Sequence, residues 1–154
     1  MSVNLFLPGD DLIDQALAEF MGYFWCRFNS GQVVGERIVR FLVSETQFEE
    51  AKVKYGPGCL VTAHGDEPAE QLAFKAVPAY HSSRDVVGLV EAKLYSLRMA
   101  EIYTTQLRNV LGLPVTGILT FDQTWHMITA DALSRSKAAF LVIDSQRPKQ
   151  QKLL

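Results

Sequence analysis

From Ser82 to Leu97 the chain carries a pattern that only a one-sided helix satisfies, because Val86, Val90, Leu94 and Leu97 recur at three- and four-residue intervals among polar neighbours. Ser82 or Ser83 stands where a side-chain oxygen can accept from the free N–H groups of the first turn. Asp85 falls within that turn, where the helix dipole favours a negative charge. Pro78 drives Val77 out of helical geometry, so the helix follows a loop or strand. A stripe of this kind needs a partner surface, and the rest of the chain supplies both helices and strands.

Upstream, Asp10 or Asp11 can cap a helix with Ile13, Ala16, Leu17 and Phe20 on one side, and Gly22 is suited to ending it. Tyr23 to Phe28 reads as an aromatic-rich strand, Asn29 to Gln32 as a turn, and Val33 to Val43 as a β-branched run interrupted by Gly35, together a hairpin. The nearly continuous apolar set from Ile38 to Val43 predicts either a central strand buried on both faces or a bulge near Gly35. Ser44 and Gln47 form a capping box for a helix through Lys54, stopped by Gly56-Pro57-Gly58. Cys59 to Ala63 predicts a strand, His64 to Pro68 a polar loop, and Ala69 to Phe74 a helical turn or an extended piece.

Downstream, Glu101 to Leu111 alternates loosely and predicts a strand, with a loop over Gly112-Leu113-Pro114 and Gly117. Ile118 to Phe121 and Trp125 to Ala130 flank Asp122-Gln123-Thr124 in the manner of a hairpin, which would send Trp125 to the core and leave His126 on the other face. Asp131 opens a last helix to about Ile143. Hairpins combined with three longer helices predict an α+β fold, an antiparallel β-sheet with helices packed on its faces as an α/β/α sandwich. The expected organisation is a single domain over 1–145, with 32–72 as an insertion or elaborated sheet and 146–154 as a disordered tail.

With 154 residues the chain is long enough to bury a core without disulfides or metal. Hydrophobic residues at 48% and charged residues at 21% are ordinary globular values, which argues against disorder and against a membrane class. No apolar run approaches the roughly 18 residues of a membrane span, and the first residues lack a secretory pattern, so a cytoplasmic protein is expected. A net charge of −2 speaks against a nucleic-acid partner. Cys26 and Cys59 lie in apolar, strand-like surroundings without C-x-x-C spacing, and read as buried thiols.

Three stretches, the opening DLIDQALAEFMGYFW, the segment PAYHSSRDVVGLVEAKL, and FDQTWHMITADALSRSKAAFLV, share an order and spacing of motifs. In these the chain resembles the small bacteriophage proteins of the phage ABA sandwich domain family. Met21-Gly22-Tyr23 corresponds to that family's Met-Gly-Trp, Pro78 to Asp85 to its Pro-x-Tyr-Ser-Thr-Asp helix start, and Trp125 with Ser136 to Leu141 to its final strand and helix. Tyr23 replaces a tryptophan, His81 is added or substituted, and Ser136-Lys137 stands for Cys-Arg. The resemblance implies a helix–sheet–helix sandwich encoded by a phage or prophage, with no catalytic residue to carry over.

The best local candidate for ligand binding is Tyr80, His81, Ser83 and Arg84 beside a helix start, whose free N–H groups attract anions; the competing reading is a serine cap with Tyr80 packed beneath it. His126 is the further candidate. His64, Asp66 and Glu67 share a loop but fall short of metal-ligand spacing, so no metal and no cofactor is expected. No hydroxyl or thiol has a sequence-local base, which places a small hydrolase last among the readings. The leading expectation is a non-enzymatic phage or prophage accessory protein that binds a host protein. The alternative is a protein that sequesters a nucleotide or other small ligand and counters host defence signalling. A homodimer through edge strands is a further expectation.

Overall fold

The structure is a computed structural model and describes residues 7–28, 33–34, 37–62, 72–75 and 77–147. The chain is α+β. Among the described residues, six helices accompany a sheet built on the antiparallel core β3-β1-β4. Backbone contacts divide the chain into two compact units, Met1–Leu17 with Pro78–Leu154, and Ala18–Val77. The segment read as an elaborated sheet, 32–72, falls inside the second.

In the second unit β1 (Phe24–Phe28) pairs antiparallel with β3 (Arg37–Val43) in the register Phe24↔Val43 to Arg27↔Arg40. On its other side β1 meets β4 (Leu60–Thr62), also antiparallel. The short β2 (Val33–Val34) pairs with the start of β3, and β5 (Leu72–Lys75) joins β3 in parallel. Thus β3 is central, as its apolar run predicts, and Ala69 to Phe74 resolves in favour of the extended alternative from Leu72 onward. The turn at Asn29 to Gln32, Gly35 and the loop His64 to Pro68 lie outside the described residues.

Alternation places Phe24 and Cys26 on one side of β1 and Trp25 on the other. The Phe24 ring meets Phe48 of α2 (Glu45–Tyr55) edge-on, with centroids 5.3 Å apart, and the Cys59 thiol lies 3.7 Å from the Ala51 carbonyl. On the opposite side the Arg40 guanidinium covers the Trp25 ring at 4.3 Å, a cation–π contact, although Arg27 is its cross-strand neighbour. Ser44 and Gln47 form the expected box, with Gln47 N–H donating to Ser44 Oγ at 3.2 Å and Ser44 N–H to Gln47 Oε1 at 2.9 Å. Helix α2 then stops at Gly56, whose φ of 104° suits a residue without a Cβ.

The first unit is helical. It takes α1 (Asp10–Phe20) as far as Leu17, then α3 (Arg84–Ser96), α4 (Ala100–Val110), α5 (Phe121–Thr129) and α6 (Ala132–Gln146). Helix α1 starts on the Gly9 carbonyl, which accepts from Leu12 and Ile13, so Asp10 and Asp11 sit in the first turn instead of capping it. Both remain favourably placed toward the dipole. Helix α3 buries Val87, Val90 and Leu94, whereas Leu97 is exposed. The stripe is rotated one residue from the expected Val86. Helix α6, capped by Asp131 as expected, buries Ala138, Ala139, Phe140 and Val142 completely, and α3 and α4 both pack on it.

An expected strand and an expected hairpin give way to helices. Glu101 to Leu111 forms α4, which buries Tyr103 and Leu107 at a four-residue spacing. The Thr104 and Thr105 hydroxyls donate to the Ala100 and Glu101 carbonyls one turn back, at 2.8 and 3.0 Å. The expected hairpin around Asp122-Gln123-Thr124 is α5. Thr120 and Gln123 are the two ends of a second capping box, with bonds of 3.2 and 2.8 Å, and a Thr-x-x-Gln signal outranks turn propensity here. Trp125 is therefore not a core residue. It is 58% exposed.

Candidate functional site

Four of the candidate ligand-binding residues lie together, Tyr80, His81 and Ser83 in the loop before α3 and Arg84 at its first position, and each is engaged by the protein itself. Tyr80 is buried, so its ring is packing material. Asp14, on the part of α1 belonging to the same unit, is only 6% exposed and receives His81 twice. The His81 N–H donates to Oδ1 at 3.0 Å, and Nδ1 stands 2.6 Å from Oδ2. An ionised carboxylate only accepts, so the geometry assigns the proton to Nδ1 and turns Nε2 away from the pair.

Ser83 caps α3, its hydroxyl oxygen accepting from Val86 N–H at 3.4 Å. Ser82 donates to the Ala79 carbonyl at 3.3 Å. Arg84 reaches across to the Ile128 carbonyl on α5, also 3.3 Å away. His126, the fifth candidate, is exposed on α5 itself, two residues before that carbonyl. Asp14 and the capping of α3 thus use the donors that an anion would need. An oriented imidazole remains, but no nucleophile of the loop is directed to it: Ser82 and Ser83 both hold backbone groups.

A second polar cluster closes the carboxyl end of α5, and nothing in the sequence marked it. Arg135 donates from Nη2 to the Met127 and Ile128 carbonyls at 3.2 and 3.0 Å, and from Nε to Ala130 at 2.9 Å. Its Nη1 meets Glu91 Oε2 at 2.9 Å. The guanidinium therefore sits at the negative end of the helix dipole with a carboxylate behind it, which suits its charge and its planar set of donors. The Tyr103 hydroxyl lies buried nearby without a hydrogen bond of good geometry, and burial first, with the Glu91 charge second, pushes its pKa far up. That phenol stays protonated at any physiological pH.

Helix α5 differs from its neighbours in burying no residue at all. Phe121, Trp125 and Ile128 follow the i, i+4, i+7 rule and project outward at 83, 58 and 57% exposure, and Ile118 just before the helix is fully exposed at 101%. Gln123 and Met127, on the opposite side, are half-buried. Thr124 and Thr129 direct their hydroxyls to the Thr120 and Trp125 carbonyls. The helix is held by a box at its start and two arginines at its end, and its apolar side faces out.

In the second unit the two thiols are free. Burial pushes the Cys26 pKa up to about 11, with the neighbouring Cys59 adding to the rise, so neither its depth nor its ionisation favours reactivity. Along α2, Glu45, Thr46, Glu49, Glu50 and Val53 border an open hollow, where Lys52 pairs with Glu49 at 2.8 Å. Among the described residues no three His, Cys, Asp or Glu side chains stand together as a metal site would require. His64, Asp66 and Glu67 lie outside them. No family model, no curated protein and no solved structure matches this chain.

Proposed function

We propose that this chain is a non-enzymatic interaction protein whose contact surface is the outer face of α5. The observation that carries the reading is the stripe of Phe121, Trp125 and Ile128, exposed on a helix that contributes no residue to the core, with Ile118 also exposed just before it. Exposed apolar patches mark association sites in soluble proteins, and tryptophan is among the side chains that dominate such contacts. A phage or prophage origin, and with it a host-cell protein as target, rests on the sequence resemblance. Capture of a small ligand has less behind it, because Tyr80, His81, Ser83 and Arg84 are occupied within the protein.

The test is a comparison of proteins retained from a bacterial lysate by the tagged chain, by Phe121→Glu and Trp125→Glu variants, and by Val53→Glu as a control on the exposed side of α2. Partners held by the wild type and the control but lost from both α5 variants are expected. Identical retention by all four proteins would refute the reading.

A further inference from the structure

From Gly112 to Thr129 no residue is buried, although α4 before this stretch buries Tyr103 and Leu107 and α6 after it buries Phe140 and Val142 completely. Leu113, Leu119, Gln123 and Met127 are half-buried, and the rest of the stretch is exposed. Apolar burial therefore contributes little to keeping it on the molecule.

Three arginines hold it instead, one each from α3, α4 and α6. Arg108 of α4 takes the beginning, donating from Nη1 to the Pro114 and Gly117 carbonyls at 3.3 and 3.0 Å. Arg84 of α3 takes the end, with the Ile128 carbonyl 3.3 Å away. Arg135 of α6 joins it there, its Nη2 donating to Met127 and Ile128 at 3.2 and 3.0 Å. Every acceptor is a backbone carbonyl, and most of these bonds lie at the surface, where water competes for both partners.

We propose that Gly112 to Thr129 is a strap that opens as one unit while α3, α4 and α6 stay folded. Its two ends are suited to pivoting. Gly112 has a φ of 70°, within the range open to a residue without a Cβ, and at Ala130 the backbone leaves helical geometry between α5 and α6 with a ψ of 135°. Ala130 is itself buried and bonded to Arg135 Nε at 2.9 Å, which fixes that pivot.

Segments with few buried apolar contacts and surface-lying hydrogen bonds are the first to open in a folded protein. The clasps sit at both ends with the Thr120–Gln123 box between them, so release of the strap is shared along its length. A helix of nine residues does not persist in water once detached, and opening therefore melts α5 and frees its amides. It also frees the guanidinium groups of Arg84 and Arg108 and the Nη2 of Arg135 for other acceptors. None of this depends on what the outer face of α5 meets.

Native-state hydrogen exchange of the full chain, read residue by residue by NMR, tests the proposal. The α5 amides from Thr124 to Thr129 are expected to share one opening constant and to exchange about a hundredfold faster than the α6 amides around Phe140. Arg108→Gln should speed exchange about tenfold across all of α5, including the end that Arg108 does not touch, with α6 unchanged. Arg84→Gln should do the same, and the two factors should multiply in the double variant. Protection of α5 equal to that of α6 in the wild type would overturn the strap. An Arg108→Gln effect confined to the loop before α5, or one that speeds α6 in parallel, would overturn its opening as a separate unit.

Discussion

Replacing Asp14 by alanine probes the contact that fixes the loop before α3. The carboxylate is 6% exposed and accepts two bonds from His81, at 3.0 Å from the backbone and 2.6 Å from the ring. Hydrogen bonds to a charged group contribute about 1.5–3 kcal/mol each. The His81 side chain is 34% exposed and regains water when its partner goes, which leaves the backbone N–H as the main loss. Balancing these, Asp14→Ala should cost about 2–3 kcal/mol. Asn at this position keeps one acceptor for the N–H, and should cost about half as much.

Urea unfolding followed by Trp125 fluorescence in a Trp25→Phe background reads this directly, since Trp125 belongs to the same unit as Asp14 and His81. A double-mutant cycle with His81→Ala should return a coupling of about 1–2 kcal/mol. A cost below about 0.5 kcal/mol, or strict additivity in the cycle, would refute the assignment of Asp14 as the loop's anchor.

Three further outcomes follow from the same reasoning. Arg135→Leu removes a donor from the Met127 and Ile128 carbonyls of α5 and from Ala130 just after it, and takes the partner from Glu91, so it should cost about 3 kcal/mol and accelerate amide exchange in α5 before α6, read by hydrogen exchange. The Asp131 carboxyl is held below its ordinary pKa of 3.8 chiefly by the Ser134 N–H, so its stabilisation is present above that pH and lost as pH falls through the lower folded value; Asp131→Ala should cost about 1 kcal/mol at neutral pH, with the deficit shrinking below pH 3.8 in acid-titrated urea curves. For Cys26 the sign reverses. Its thiol is raised from 9.0 to about 11, so the folded state favours the proton, stability is lost as pH rises across that interval, and alkylation at pH 9 followed by mass spectrometry should label Cys59 first and Cys26 only on unfolding.

Legibility in the sequence tracked the span of the interaction. The Ser44–Gln47 box, the Ser83 and Asp131 caps and the Gly56 stop are set within four residues, and each is found where local chemistry puts it. The central position of β3 followed from its continuous apolar run. Helices α4 and α5 differ from the expected strand and hairpin because a loose alternation and a short polar connection mask their helical signals, Tyr103 with Leu107 in one case and Thr120 with Gln123 in the other. The tertiary contacts had no local signature: Asp14 and His81 are 67 positions apart, and Glu91 and Arg135 are 44 apart. A core role for Trp125 followed from reading α5 as a strand, and the same error hid the exposed stripe.

Because α5 is fastened through backbone carbonyls and caps, Phe121, Trp125 and Ile128 support no interior packing. Substitutions there leave the architecture intact. On the proposed reading of α5 as a contact face, selection can drift its specificity at little risk to foldedness, a freedom denied to Leu94 or Phe140, where every change is felt by the core.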